Sequence, residues 1–293
     1  MSLKRAQRVS FNNNTSTAHN SFRNYSTHQR RFESTNNPVV SVKNVSVKLG
    51  ERIVLDDISF EIEKPSLVLV VGPNGAGKTT LIKLLLGMVK PFKGFVKVLG
   101  LNPFTEGLKL RSLIGYVPQK DKVSYEVPLK VGEVALMGIL LRKGFPRIPQ
   151  KEDIKAARKA LEYLGMEDYW DSPFNELSGG QQKRVLIARA LASNPIILFL
   201  DEVFAGLDVE SQERLLNVLR MLKENGRTIM VIEHELDPII SLTDRILVLN
   251  KTICVYGDPV DVLNEDKLKT VYPYVKAVER EGRRMLILGD RHA

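Results

Sequence analysis

At 293 residues the chain is long enough for one large domain or two smaller ones, and a hydrophobic content of 43% allows a sizeable core. The longest unbroken apolar runs, Leu67 to Val71 and Ile196 to Leu200, are five residues each, against the roughly 20 that crossing a bilayer requires, so no stretch reads as membrane-spanning. The net charge of +9 suggests an acidic or nucleic-acid partner, but five of those nine charges fall in residues 1 to 37, where Lys4, Arg5, Arg8, Arg23, Arg30 and Arg31 oppose only Glu33.

That leader is rich in Asn, Ser, Thr and Arg, and its apolar residues Leu3, Val9, Phe11, Phe22 and Phe32 keep no sustained period. It reads as a disordered basic leader. A transit peptide would share the basic, acid-poor character, yet these positions make no convincing amphipathic helix. From Val39 the chain alternates. Val40, Val42, Val45 and Val47, then Ile58, Phe60 and Ile62, predict antiparallel strands reversing at a polar turn at Asp56 and Asp57. Leu67 to Val71 is a buried strand, Leu81 to Leu86 is helical, and Gly94 to Leu99 and Ile114 to Val117 are strands. The middle, from about 121 to 191, is helical: Val131 to Leu141, then Glu152 to Leu164 with a stop at Gly165, then a helix after Ser178. After Pro195, strands at Ile196 to Leu200, Thr228 to Ile232 and Arg245 to Leu249 alternate with helices near Glu210 to Asn225 and Leu236 to Leu242. Such alternation implies a mostly parallel sheet that the helical middle interrupts. Arg284 to Leu288 reads as a closing strand, and the single cysteine, Cys254, as a small core residue in an apolar strand. No internal repeat is present.

The chemistry concentrates in three places. Between the strand at Leu67 to Val71 and its helix lies Gly72-Pro73-Asn74-Gly75-Ala76-Gly77-Lys78-Thr79-Thr80, a complete P-loop in the strand, loop, helix context that gives the pattern its meaning. Its glycines turn the backbone so that successive N–H groups face a phosphate chain at the positive end of a helix. Lys78 adds a charge for the terminal phosphates, and Thr79 a hydroxyl for magnesium. A glycine-rich reversal alone would explain the glycines but not Lys78 and Thr79. Second, the strand Ile197-Leu198-Phe199-Leu200 ends in Asp201 and Glu202. Acids at the carboxyl end of a buried parallel strand normally face a site. Asp201 suits magnesium, through water, and Glu202 suits orienting or deprotonating an attacking water; an N-cap on the following turn is the plainer alternative. Third, Leu177-Ser178-Gly179-Gly180-Gln181-Gln182-Lys183-Arg184 opens a helix with a serine and two glycines, both an N-cap and a second anion-receptive nest.

With these segments the chain resembles the ATP-binding cassette (ABC) family of ATPases over residues 39 to about 265. To the P-loop, the signature Leu177 to Gln181 and the acidic strand end it adds, in the family's order, Gln119 after a strand, Ala205-Gly206-Leu207-Asp208, and His234. The resemblance implies an α/β fold: a P-loop NTPase core with a mostly parallel sheet, an N-terminal antiparallel β subdomain and an inserted helical subdomain at about 121–191. The ATPase domain would span 38–265, behind the leader 1–37 and ahead of an extension 266–293 packed on it. It implies ATP and Mg2+ as cofactors, Glu202, His234, Lys78 and Gln119 as catalytic residues, and Thr79, Gln119 and Asp201 at the metal. Gly72 to Thr80 would cradle the phosphates, and Ser178, Gly179, Gly180 and Gln181 would close over ATP held by a second subunit, a homodimer being expected.

The departures are Leu49, where relatives place an aromatic ring against adenine, Val203-Phe204 in place of a proline before Ala205, and Glu235 in place of the commoner aspartate. A single cassette without a spanning helix implies the motor subunit of an importer on the cytoplasmic face of a membrane. It would dock on integral membrane permease subunits, serve a solute-binding protein indirectly, and use no nucleic acid. The segments 116–119, 127–131 and 134–138 are similar to subunits for zinc or manganese uptake, with siderophore, haem and cobalamin importers sharing much of the pattern and a soluble iron–sulfur assembly ATPase as the non-transport alternative. About 100 residues between P-loop and signature leave no room for the coiled coil of a chromosome ATPase.

Overall fold

The computed structural model describes residues 37–119, 129–140, 142–233, 239–263, 268, 269, 271 and 272, and the backbone of 274–280 and 283–289. Residues 1–36 of the leader, the first part of the helical middle and His234, together with the first three residues of the helix expected at Leu236 to Leu242, lie outside the described residues; Ile240–Leu242 forms a single 3-10 turn.

Strands β1 (Val40–Leu49), β2 (Arg52–Ile62) and β4 (Lys93–Val98) form a three-stranded antiparallel sheet in the order β2-β1-β4. The chain reverses at Gly50 and Glu51, where Leu49 pairs with Arg52 and Gly50 supplies a φ of 61°. It does not reverse at Asp56 and Asp57, as the alternation suggested. Those aspartates lie inside β2 at a bulge, with Asp57 at φ 47° and its amide donating to Ser46 Oγ at 2.9 Å. The bulge accounts for the misreading: Leu55 and Ile58, three apart, are both fully buried, so the two-residue period breaks within one strand.

The larger sheet has the order β5-β6-β7-β3-β8-β9, with β3 Leu67–Val71, β5 Ile114–Val117, β6 Ile197–Asp201, β7 Thr228–Ile232, β8 Arg245–Asn250 and β9 Thr252–Gly257. The first five run parallel and β9 is antiparallel at the edge. Every residue of β3, β6 and β7 is buried, the continuous apolar reading of strands covered on both faces. β9 is covered on one face only. Cys254 is therefore exposed rather than in the core, the opposite of the sequence reading.

Helices α1 (Lys78–Leu85) and α2 (Gly107–Arg111) follow β3 and β4. Three more helices, α3 (Val131–Leu140), α4 (Lys151–Tyr163) and α5 (Gly179–Ala192), pack on one another. The close approach of α3 to α5 needs glycine: a Cβ at Gly138 would lie 1.8 Å from the Arg189 carbonyl oxygen. α4 starts after Pro149, with the Gln150 amide donating to Asp153 Oδ2 at 2.6 Å, and the chain turns away at Gly165, φ 65°. α6 (Val209–Glu224) links β6 to β7. After β9 come α7 (Pro259–Val262) and a hairpin of β10 (Tyr274–Arg280) with β11 (Arg283–Gly289), which contains the expected closing strand. Among the described residues no helix is long and apolar enough to cross a membrane.

Candidate nucleotide site

The parallel strands deliver their carboxyl ends to one edge of the sheet, the position where open α/β sheets bind ligands. β3 leads into Gly72, β5 to Gln119, β6 ends in Asp201 before Glu202, and β7 runs into Glu233.

The loop after β3 is built for close backbone approach. A Cβ at Gly72 would sit 2.0 Å from the Leu249 carbonyl oxygen, and one at Gly77 would meet Leu55 Cδ2 at 2.7 Å with φ at 99°, so neither position accepts a side chain without displacement. The Pro73 carbonyl accepts the Ala76 amide at 3.1 Å and closes the turn around Asn74 and Gly75; Gly75 has φ 78°. No side chain caps α1, so the loop leaves the helix's positive end to an anion. Lys78 is 6% exposed and folds back, its Nζ donating to the Gly72 carbonyl at 2.6 Å and the Pro73 carbonyl at 3.0 Å. Thr80 is buried behind the loop, whereas Thr79 Oγ1 donates to Asp201 Oδ2 at 2.9 Å.

Asp201 is 1% exposed, and its other oxygen, Oδ1, is buried without a hydrogen-bond partner. Burial raises its pKa; the Thr79 hydroxyl and the charges of Lys78 and Lys83 act against that rise, and Glu202 adds to it. A buried carboxylate oxygen left unpaired marks a position for a cation or its water. One hydroxyl and one carboxylate form the sparse oxygen set that magnesium uses when nucleotide phosphates supply further ligands, and Thr79 and Asp201 fit it. Among the described residues there is no group of three or more His, Cys, Asp or Glu of the kind an all-protein metal site needs.

Glu202 stands at φ 53°, a left-handed conformation uncommon for a residue with a side chain, and its amide donates to the Ile232 carbonyl at 2.9 Å. Gln119 Nε2 donates to Glu202 Oε2. The structure thus brings Thr79 to Asp201 and Gln119 to Glu202, two pairs whose acids are adjacent in sequence.

The Ser178 segment is satisfied locally. Ser178 Oγ accepts the Gln181 amide at 3.3 Å while the Ser178 amide donates to Gln181 Oε1 at 2.9 Å, a reciprocal capping box at the start of α5. Ser178 and Gly179 are exposed, and a Cβ at Gly180 would lie 3.2 Å from the Gly206 carbonyl oxygen, so this helix start backs onto the loop that follows Glu202. Asp208 ends that loop as N-cap of α6, accepting from the Ser211 amide at 2.8 Å. Leu49 is 48% exposed, an aliphatic surface at the end of β1.

Two residues went unassigned in the sequence. Glu233, 5% exposed, accepts the Phe204 amide at 3.0 Å; burial raises its pKa to about 7, against the Phe204 amide and Lys183 and with the help of Glu202. Lys183 Nζ donates to the Glu202 carbonyl at 3.1 Å and the Ala205 carbonyl at 2.5 Å, and burial lowers its pKa against the pull of Glu233 and Glu202. Glu233 had a signal, an acid directly after an all-apolar strand, the same placement as Asp201 and Glu202. Lys183 had none, since a lysine in a helix normally reads as solvated surface.

Residues 55–205 match the family model for ABC transporters. The manganese transport system ATP-binding protein MntB of Bacillus subtilis (strain 168) is 38% identical over 233 residues, which cover 80% of this chain and 92% of that protein. The zinc transport system ATP-binding protein TroB of Treponema pallidum (strain Nichols) is 35% identical over 233 residues, 80% of this chain and 86% of that protein. Among solved structures, a nucleotide-free ATP-binding cassette from an ABC transporter superposes with a TM-score of 0.67 at 29% identity, covering 80% of this chain and 95% of that one. The match runs through the loop, the helical middle and the acidic strand end alike, and with it the chain belongs to the ABC transporter family.

Proposed function

We propose that this chain is the ATP-hydrolysing motor subunit of an importer for divalent metal ions, zinc or manganese. The observation that carries the hydrolytic half is the Thr79–Asp201 pair with its unpartnered Oδ1, set beside Glu202 at the edge where the phosphate-cradling loop opens. The cargo follows from the manganese and zinc transport systems to which the relatives belong. The same relatives weigh against a siderophore, haem or cobalamin cargo and against a soluble assembly role.

In this reading the amides of Gly75 to Thr79 and the Lys78 ammonium bind the β- and γ-phosphates, which requires Lys78 to leave the Gly72 and Pro73 carbonyls it now contacts. Thr79 and Asp201 hold magnesium, with Gln119 able to contribute its amide oxygen. Magnesium, when bound, neutralises charge building on the phosphates. Glu202 orients the attacking water and takes its proton as the water oxygen bonds to the γ-phosphorus and the bond to the β-phosphate oxygen breaks. For that, Glu202 must exchange its hydrogen bond from Gln119 for one from the water. His234 is assigned to the terminal phosphate. Ser178 to Gln181 serve the nucleotide held by a second copy of the chain, which the exposure of Ser178 and Gly179 in the single chain supports. We further read residues 38–265 as the ATPase domain, 121–191 as its helical subdomain and 266–293 as an extension of it. The motor works on the cytoplasmic face of a membrane, on permease subunits fed by a solute-binding protein.

Glu202→Gln tests the hydrolytic half: ATP binding should persist while turnover falls by about 10²-fold or more, and unchanged turnover removes Glu202 as the base. The cargo is tested by recovering the native protein with its membrane partner, reconstituting the complex in vesicles and measuring ATP-dependent uptake of zinc and manganese. Uptake of neither ion overturns the metal assignment.

A further inference from the structure

The segment from Glu202 to Ala205 carries the proposed base at one end and the turn that abuts the Ser178 segment at the other. Its side chains Val203 and Phe204 are buried, 0% and 4% exposed, so its backbone polar groups need protein partners. They come from two directions. From the end of β7, the Glu233 carboxyl accepts the Phe204 amide at 3.0 Å. From α5, Lys183 Nζ donates to the carbonyls of Glu202 and Ala205. Glu233 thus holds an amide and Lys183 two carbonyls of the same short stretch.

The lysine's origin matters more than its count of bonds. Lys183 lies five residues beyond Ser178 on the same helix, and an α-helix is stiff over that distance, about 1.5 Å per residue. Any displacement of the Ser178 end moves the Lys183 ammonium, and with it the carbonyl of the one residue that holds a left-handed φ without being glycine in this loop. A backbone so strained persists only where its surroundings over-determine it. Gly180 and Gly206 hold helix start and loop close together, a Cβ at position 180 falling 3.2 Å from the Gly206 carbonyl oxygen, tighter than an ordinary contact.

We propose that Lys183 is a positioning residue for hydrolysis. By gripping the Glu202 and Ala205 carbonyls from the signature helix, it fixes the backbone at Glu202 and couples the placement of Ser178–Gln181 to the aim of the carboxylate. The proposal rests on the reading of Glu202 as the base.

The experiment compares full-length wild type with Glu202→Gln, Lys183→Met and Lys183→Arg, measuring kcat, KM for ATP and ATP bound per chain. Because a misplacement on the order of 1 Å costs about 100-fold in rate, Lys183→Met should lower kcat about 10- to 100-fold, with KM and bound ATP changed less than about twofold; Lys183→Arg should restore most of the rate. If Lys183→Met does not fold, Lys183→Gln, which keeps a donor, replaces it and should give an intermediate kcat at unchanged KM. Wild-type kcat in Lys183→Met overturns the proposal while Glu202→Gln still reports on the base. So does a loss matched by an equal fall in bound ATP, or one that arginine does not restore, since either describes a lysine that only stabilises the fold. Equal turnover in wild type and Glu202→Gln removes the base assignment, and the proposal with it.

Discussion

Replacing Glu233 by glutamine should stabilise the protein, and more so as pH rises. The carboxyl is 5% exposed, and burial lifts its pKa from 4.5 to about 7. Below pH 4.5 it is protonated in both folded and unfolded chains and contributes no pH dependence. Between pH 4.5 and 7 the unfolded chain ionises it freely while the folded chain resists, so folded stability is lost across that window and the loss levels off above it. At about 1.36 kcal/mol per pH unit the full loss is about 3 kcal/mol. Glutamine has the shape of the neutral acid, keeps an acceptor for the Phe204 amide and does not titrate. The difference in unfolding free energy between Glu233→Gln and wild type should therefore grow in favour of the variant by about 3 kcal/mol from pH 4.5 to 7.5. Urea unfolding followed by the single tryptophan, Trp170, at closely spaced pH values gives that difference directly, and working with differences cancels the titration of every other carboxylate. A difference flat with pH would refute the reasoning, because it would mean that Lys183 and the loop amides stabilise the ionised form as well as burial penalises it.

Two further outcomes follow from contacts at the site and at the sheet edge. Thr79→Ala removes the hydroxyl that donates to Asp201 Oδ2 and leaves a carboxylate already unpartnered at Oδ1 without its second oxygen's partner. Stability should fall by about 1–3 kcal/mol without magnesium, and the magnesium concentration giving half-maximal ATPase should rise; an unchanged magnesium requirement would count against Thr79 as a ligand. Cys254, exposed on β9, should react stoichiometrically with a thiol reagent in the native protein, more slowly than in urea because partial burial raises its thiol pKa, and full protection in the native state would contradict its placement.

Where burial and period agree locally, the sequence was readable. The apolar strand before Gly72, the acids after Leu200 and the helix stop at Gly165 all lie where the residues place them, because each is determined within a few positions. The hairpin at Gly50 was not readable, since a bulge at Asp57 sets Leu55 and Ile58 on one face and imitates two strands meeting at a polar turn. Cys254 was misread for a different reason. Whether an apolar strand has one face or two covered depends on its place in the sheet, and β9 lies at the edge.

Sheet order also accounts for what no local pattern could give at the site itself. Thr79 follows β3 and Asp201 ends β6, yet these strands are not neighbours, because β7 runs between them. Ile232 of β7 is paired on one side with Asp201 and on the other with Val70. With strands about 4.8 Å apart, the loop and the acid face each other across roughly two strand spacings. The Thr79–Asp201 hydrogen bond closes that gap from both sides, over the end of β7. Whatever residue follows Ile232 is then enclosed by the loop after Glu202, which explains why Glu233 is nearly as buried as Asp201 and why its carboxyl finds the Phe204 amide rather than solvent. At the end of the central strand of the three stands Glu233. Its acid holds the loop from which Glu202 projects, a role fixed by the order of the strands and invisible to the spacing of the motifs.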